Sequence, residues 1–176
     1  MRNIGKKFED NFKKSIPDDI MQYRLPDAAQ SFAPSSGLRF SNKNPCDCFM
    51  YYYPTLFTLE LKSVSTTSIS FERTKEDKGK VIHYHQIEGL RKFAKYKGII
   101  SGFVINFRHK DDTETCYFLH INDFDRLIDS IDKKSFNEKN LQQFNPIIIE
   151  NTKLKVNYRY SVRKFIEDAQ KKYEDK

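Results

Sequence analysis

The chain has 176 residues, of which 38% are hydrophobic, 14% aromatic and 31% charged. This composition excludes wholesale disorder, and the length suits a single domain over residues 1–176 with a core of its own. No apolar run approaches the roughly 20 residues that span a bilayer, and the N-terminus lacks a signal-peptide core, so we expect a cytoplasmic protein that does not bind membranes. A net charge of +7 favours a polyanionic partner such as nucleic acid, although a lysine-rich composition also follows from an AT-rich genome.

The first predicted element is an amphipathic helix over residues 3–15. Apolar residues recur at every fourth position from Ile4 to Ile16, which is the spacing of one helix face. Glu9 lies next to this apolar stripe, away from its centre. Two interpretations stay open for Glu9: a solvent-facing glutamate, or a carboxylate at the edge of the stripe that faces a functional site.

Residues 17–44 are rich in proline, glycine and serine, and are long for an idle loop. Arg24, Arg39 and Lys43 alternate here with aromatic residues. Cations interleaved with aromatic side chains suit phosphate contacts and base stacking, so the segment is a candidate DNA-engaging loop or stalk. A peripheral loop that packs its aromatic residues on the core explains the same pattern equally well.

A predicted β-hairpin follows, formed by the aromatic and β-branched runs 49–53 and 55–61 with Pro54 in the turn. If the two runs pair antiparallel, Asp47 and Glu60 meet at the same end of the hairpin. Two carboxylates placed together in this way suit a shared Mg²⁺ ion, which prefers oxygen ligands and keeps some of its waters.

The spacing around Glu60 assigns further groups to this site. Glu60 and Lys62 point to the same side of the strand, because side chains alternate between its faces. Leu61 then points into the core and leaves its backbone carbonyl available to the metal. Lys62 is placed to activate a water nucleophile or to stabilise charge on a phosphate. Taken alone, however, Glu-x-Lys is more often a solvated charge pair.

The next predicted helix covers residues 83–96 and carries a buried apolar face. Gln86, near its start, is placed to reach the hairpin site. His83 and His85 are two residues apart and do not share a helix face, so they are not predicted to bind zinc together. His85 remains a candidate phosphate contact.

The remaining pattern predicts an apolar central strand over 99–107, a hairpin partner over 115–121, and a helix over 123–131 that Asn122 caps. Residues 133–176 form a C-terminal extension with a final helix. Arg163 on that helix is a candidate DNA contact, or one charge of a solvated face.

Taken together, the elements predict an α/β fold with a mixed central sheet of about five strands flanked by helices. The chain has three cysteines, which is an odd number, and none of them has zinc-finger spacing. Small, partly buried thiols are therefore expected in place of a metal cluster.

Four short segments in this order resemble the RecU family of Holliday junction resolvases, and more closely the RecU-like proteins of bacteriophages. This family belongs to the restriction-endonuclease-like PD-(D/E)xK superfamily. The resemblance covers roughly residues 4–125 and implies a restriction-endonuclease-like sheet. The segments that carry it are Gly-Lys-Lys-Phe-Glu at 5–9, Asn-Pro-Cys-Asp at 44–47, Glu-Leu-Lys at 60–62, and His-Tyr-His-Gln-Ile-Glu at 83–88.

The resemblance implies that Asp47 and Glu60 bind a divalent metal, that Lys62 is catalytic, that Gln86 lies at the site and that Glu9 is close to it. The expected cofactor is Mg²⁺, for which Mn²⁺ may substitute. The sequence departs from the bacterial pattern before Asp47, where bacterial members are threonine-rich and this chain has Asn-Pro-Cys.

The function expected from this resemblance is a Mg²⁺-dependent endonuclease that resolves four-way DNA junctions by paired nicks. A homodimer is expected, because two identical sites supply two symmetric cuts. Two alternatives stay open. One is a general or restriction-type DNA nuclease or nickase, and the other is a non-catalytic module that binds DNA structures during recombination.

Overall fold

The structure is a computed structural model that describes residues 4–26 and 44–173. Its helices are α1 (Ile4–Lys14), α2 (Tyr84–Phe93), α3 (Ile121–Asp129), α4 (Glu138–Gln142) and α5 (Val162–Tyr173). Its strands are β1 (Met21–Arg24), β2 (Cys48–Tyr52), β3 (Thr55–Val64), β4 (Ser68–Ser70), β5 (Ile99–Arg108), β6 (Glu114–His120), β7 (Ser135–Asn137), β8 (Ile147–Ile148), β9 (Asn151–Lys153) and β10 (Tyr158–Tyr160). No helix within these ranges is both long and apolar enough to cross a membrane.

A mixed sheet dominates the described chain, with six strands in the order β1-β2-β3-β5-β6-β8. Neighbouring strands are antiparallel except for β3 and β5, which run parallel. The predicted α/β fold with a mixed central sheet and flanking helices is thus confirmed, with six strands in place of about five. The short strand β8 pairs with the far side of β6 through Tyr117 and Ile148.

The prediction that the 99–107 segment is central is also confirmed, because β5 lies between β3 and β6. Both faces of the sheet are covered. One core cluster includes Phe12, Phe57 and Phe165 and joins the sheet to α1 and α5. The other includes Leu90 and Phe124 and joins it to α2 and α3. The residues after 133 contribute to both clusters.

Alternation along β3 decides which residues meet which helix. Phe57 and Leu59 belong to the cluster under α1 and α5, and Leu61 packs against the same cluster while remaining partly exposed. Glu60 and Lys62 therefore lie on the opposite face, which α2 covers. Strand β3 thus presents its apolar residues to α1 and α5, and presents Glu60 and Lys62 to α2.

Helix α2 is shorter than the predicted 83–96 segment, because the chain leaves the helix after Phe93 and turns at Gly98, where φ is +80°. Helix α3 also differs from the sequence prediction. Its N-cap is His120, whose Nδ1 accepts a hydrogen bond from the Asn122 amide at 3.1 Å. Asn122 itself lies inside the first turn, so its predicted capping role is wrong.

Two contacts fix α2 in place. Arg91 of α2 forms a two-pronged ion pair with Asp125 of α3, at 2.7 Å for the shortest contact. On the other side, Gly89 packs directly against Pro45, in the segment that leads to Asp47. A Cβ atom built on Gly89 would lie only 2.3 Å from the Pro45 carbonyl oxygen. Only glycine allows this approach without a shift of the backbone.

We therefore expect Gly89→Ala to destabilise the protein by about 1–3 kcal/mol, since overpacking outweighs the gain of about 1 kcal/mol in helix propensity. Urea unfolding measures the change. The matched control is Lys92→Ala, an exposed position on the same helix, which should shift stability by less than about 0.5 kcal/mol. A Gly89→Ala protein at least as stable as the parent would contradict the close packing on Pro45.

Candidate metal and active site

Asp47 and Glu60 meet at the open end of the β2–β3 hairpin. Cys48 pairs with Leu59, which places Asp47 opposite Glu60. The Asp47 amide donates to the Leu59 carbonyl at 3.0 Å. In return, the Leu61 amide donates to Asp47 Oδ2 at 2.8 Å. These two bonds hold the Asp47 carboxylate beside Glu60, as the hairpin prediction requires.

Glu60 is the buried member of the pair, with 2% of its surface exposed. Lys62 Nζ lies 2.9 Å from Glu60 Oε1, and Gln86 Nε2 donates a hydrogen bond to the same oxygen. Burial raises the pKa of Glu60 to about 7; Lys62 opposes this rise and the neighbouring Asp47 carboxylate adds to it. A cation beside both carboxylates would stabilise the ionised form of Glu60.

The start of α2 orients Gln86 toward Glu60. The side-chain oxygen of Gln86 accepts a hydrogen bond from the His83 amide at 2.9 Å, which leaves its NH₂ group for Glu60. This is the capping arrangement expected where a residue three positions into a helix reaches back to the N-cap. Gln86 therefore reaches the site from the helix start, as predicted from the sequence.

Glu72 anchors the start of α2 through hydrogen bonds, and the sequence did not predict this role. With 6% of its surface exposed, Glu72 accepts hydrogen bonds from the Tyr84 amide at 2.9 Å and from His83 Nδ1 at 3.0 Å. Burial alone would raise the pKa of Glu72, but these hydrogen bonds outweigh it and lower the pKa. No sequence signal marked Glu72, because it follows a short strand and precedes a charged loop.

The rings of His83 and His85 stack, with their centroids 5.5 Å apart and an angle of 14° between the planes. Stacking is possible because His83 is the N-cap in extended conformation and not a helical residue. The structure gives His83 a carboxylate partner in Glu72, 3.0 Å from its Nδ1. The predicted phosphate contact of His85 stays a prediction.

Glu9 lies on the other side of the hairpin. It forms an ion pair with Arg24 at 3.0 Å, and both residues line a pocket of about 160 Å³ together with Asp47 and Leu61. Of the two interpretations of Glu9, the structure favours the carboxylate that faces the site. The remaining lining residues are Lys6, Asp10, Lys13, Gln22 and Cys48.

The other candidate DNA contacts are spread out. Arg39 and Lys43 lie outside the described residues. Arg163 bonds to Asp19 and stacks its guanidinium on Tyr52, 5.5 Å from the ring centroid. Tyr52 ends β2, about 13 Å along the strand from the Asp47 end. The structure thus does not bring Arg163 to the carboxylates but gives it partners within the chain.

The cysteines are buried and free, as expected. Burial raises the pKa of the Cys46 thiol to about 12, and the Glu60 and Asp47 carboxylates add to the rise. Burial likewise holds the pKa of Cys48 well above its usual range. Thiols in this state are poor nucleophiles and poor metal ligands at neutral pH.

The described residues contain no cluster of three or more His, Cys, Asp or Glu side chains able to hold a metal. The donors available are two carboxylates, Asp47 and Glu60, and the Leu61 carbonyl between them. An all-oxygen set of this size fits a hard cation such as Mg²⁺ that keeps several waters, and does not fit zinc. The close approach of two carboxylates supplies the charge that such a cation offsets.

Comparison with known proteins finds a relative in sequence and distant likenesses among solved structures. No family model matches the chain. A solved structure of Hjc, a Holliday junction resolvase from Archaeoglobus fulgidus, matches with a TM-score of 0.46 and 12% identity, over 81% of this chain and 93% of that one. The SPbeta prophage-derived uncharacterized protein YotM of Bacillus subtilis (strain 168) is 35% identical over 182 residues, which cover 97% of this chain and 88% of that protein. The chain belongs to the same protein family as YotM.

Proposed function

We propose that the chain is a Mg²⁺-dependent DNA endonuclease of the PD-(D/E)xK type that resolves four-way junctions by paired nicks. The observation that carries this proposal is the meeting of Asp47 and Glu60 beside Lys62, whose amino group lies 2.9 Å from Glu60. A protein that only bound DNA would gain nothing from two carboxylates near a phosphate, because like charges repel. Phosphodiester hydrolysis makes use of all three side chains.

In this proposal Asp47, Glu60 and the Leu61 carbonyl hold the Mg²⁺, and Mn²⁺ is expected to substitute. The bound cation supplies Lewis-acid stabilisation of charge on the phosphate. The fit rests on the donor set and on the burial of Glu60, beside which the hairpin places the second carboxylate, Asp47.

The remaining groups have distinct roles. Lys62 positions the attacking water or stabilises charge on the phosphate, as its ammonium group beside Glu60 allows. Gln86 orients the water or the phosphate through the NH₂ group that it directs at Glu60. Glu9 supports the site from the pocket that it shares with Asp47 and holds Arg24 toward the DNA. The family resemblance implies in-line attack that leaves a 5′-phosphate and a 3′-hydroxyl.

The preference for branched DNA is the finer part of the proposal. It is supported by the order of the motifs around Glu9, Asp47, Glu60 and Gln86, which resembles that of the RecU-like proteins of bacteriophages, and the relative YotM is prophage-derived. Paired nicks require two active sites, so we propose a homodimer. Arg24, Arg39, Lys43 and His85 are the proposed DNA contacts. Arg163 belongs to this set only if DNA displaces Asp19.

Cleavage by purified protein tests the activity. A labelled mobile four-way junction, a flap and a linear duplex are incubated in Mg²⁺ and in EDTA. Symmetric nicks near the crossover are expected only with Mg²⁺. Asp47→Asn and Lys62→Ala should lower the rate at least about a hundredfold, which is the scale of a lost acid–base or metal-binding group. The matched control Asp132→Asn changes an exposed carboxyl and should keep the parent rate.

The outcomes separate the alternatives. Equal cutting of all three substrates would indicate a general or restriction-type nuclease in place of a junction resolvase. Tight junction binding without cutting in Mg²⁺ or Mn²⁺ would indicate a DNA-structure-binding module.

The second test needs no DNA and follows the pKa of Glu60. Because burial raises this pKa from 4.5 to about 7, the folded state holds a proton that the unfolded state has already lost within that range. Stability in EDTA should therefore fall as the pH rises from about 4.5 to 7, by an amount on the order of 3 kcal/mol, and then level off. Mg²⁺ at pH 8 should restore it.

Thermal unfolding from pH 5 to pH 8 measures this dependence, with and without Mg²⁺. Glu60→Gln should flatten the pH profile and remove the stabilisation by Mg²⁺. Glu150→Gln, at an exposed position on the surface, should preserve both. If Glu60→Gln kept the parent profile and the parent response to Mg²⁺, Glu60 would not be the metal ligand.

A further inference from the structure

A second polar pocket lies on the opposite flank of α1 from Glu9. It is bounded by α1, by the end of β5 and by the β9–β10 hairpin, and its volume is about 410 Å³. Four cationic side chains and two acidic ones line it: Lys7, Arg108, Lys153 and Lys155, with Asp112 and Glu114. None of these residues belongs to the carboxylate site.

The two acidic side chains of this pocket already have partners. Asp112 forms an ion pair with Lys153. One oxygen of Glu114 accepts hydrogen bonds from Asn106 at 3.0 Å and from the Tyr160 hydroxyl at 2.7 Å. Within the described chain, no carboxylate forms an ion pair with Lys7, Arg108 or Lys155. These three cations give the pocket a surplus of positive charge, which suits an anion.

Of these three cations, Arg108 has a side chain that hydrogen bonds hold in place. Its Nε donates to Ser63 Oγ at 3.1 Å, and that hydroxyl donates in turn to Asn106 Oδ1 at 2.8 Å. Asn106 has no exposed surface. The guanidinium is therefore held by hydrogen bonds that continue into the core, while its terminal NH₂ groups remain for a ligand. A fixed planar guanidinium matches the two oxygens of a phosphate.

The place of this pocket relative to the carboxylates suggests which phosphate it binds. Ser63, which holds Arg108, follows Glu60 by three residues on β3, a distance of about 10 Å along the strand, and its side chain lies on the opposite face. One strand of a DNA duplex carries a phosphate for about every 3.4 Å of helix axis. Arg108 is thus separated from a phosphate placed at Asp47 and Glu60 by about three nucleotides or more.

We propose that Arg108, with Lys7 and Lys155, binds a backbone phosphate of the DNA about three nucleotides or more from the scissile phosphate. The pocket fixes the register of the strand in the active site and carries no sequence preference, as phosphate contacts do. This inference rests on the proposed nuclease function and extends the DNA surface to the far flank of α1. Free inorganic phosphate shares the same chemistry, and the experiment distinguishes the two.

The first arm measures the Kd for a four-way junction by fluorescence anisotropy in EDTA, where no cutting occurs, over a range of salt concentrations. Each of three single substitutions should reduce the slope of log K against log salt concentration by about 0.9, which corresponds to binding about eightfold weaker at 0.1 M salt. The substitutions are Arg108→Gln, Lys7→Gln and Lys155→Gln. The matched control is Lys171→Gln. Lys171 is exposed on α5 beside Gln170, which contacts the opposite end of β3.

The second arm locates the phosphate. Single phosphates near the mapped cleavage position are replaced by neutral methylphosphonates. One position about three nucleotides or more from the cut should weaken binding of the parent protein but not of Arg108→Gln, because the partner of that phosphate is already gone. Arg108→Lys keeps the charge and should show an intermediate loss. Inorganic phosphate at 10-fold excess over DNA phosphate should not compete if the DNA backbone is the ligand.

The outcomes distinguish this inference from the proposed function. If the parent protein binds and cuts but the three variants behave like Lys171→Gln, or if no methylphosphonate position couples to Arg108, the pocket does not bind DNA and the nuclease proposal stands. If the variants lose affinity as expected while the parent never cuts, the pocket stands and the nuclease proposal fails. A parent protein that binds no DNA overturns both.

Discussion

The fold keeps a carboxylate, Glu60, almost entirely out of water in the middle of a sheet. A buried negative charge is unfavourable unless it is paired, and here Lys62 and Gln86 supply one cation and one hydrogen bond. Asp47 brings a second negative charge to the same place, fixed by the Leu61 amide. Under the proposed function, a divalent cation relieves the repulsion between the two carboxylates. The negative charge in the interior is there because β3 places the side chain of Glu60 on its buried face.

The carboxylates depend on contacts well away from them. Glu72 ties down the first residues of α2, and this sets the direction in which Gln86 points. Gly89 lets the same helix pack closely against Pro45, two residues before Asp47. This contact positions the chain where it enters β2. The placement of Asp47 and Gln86 thus depends on a buried acid, Glu72, and on the absence of a Cβ atom at Gly89. Positioning of this kind is as important for catalysis as the reacting groups themselves.

Much of the fold could be predicted from the sequence, because the patterns that specify its helices and strands are local. The alternation in β3, the apolar run of β5 and the stripe of the last helix predicted their elements, and the spacing of Asp47, Glu60 and Lys62 predicted one site. The contributions of Glu72 and Arg108 were not readable, since each depends on a partner distant in sequence, at Tyr84 and Ser63. Helix α3 was misplaced by two residues because a histidine ring took the role expected of Asn122.

The last helix closes over the strand that carries the site. Phe165 of α5 packs on Phe57 of β3, and Gln170 bonds to Thr55, 115 residues earlier in the chain. Contacts of such long range close late in folding, because the loop entropy must be lost before they form. During synthesis, the hairpin that bears Glu60 gains this cover only after α5 has left the ribosome. A chain that has not yet added α5 therefore exposes part of the apolar face of β3, on the side of the strand opposite Glu60.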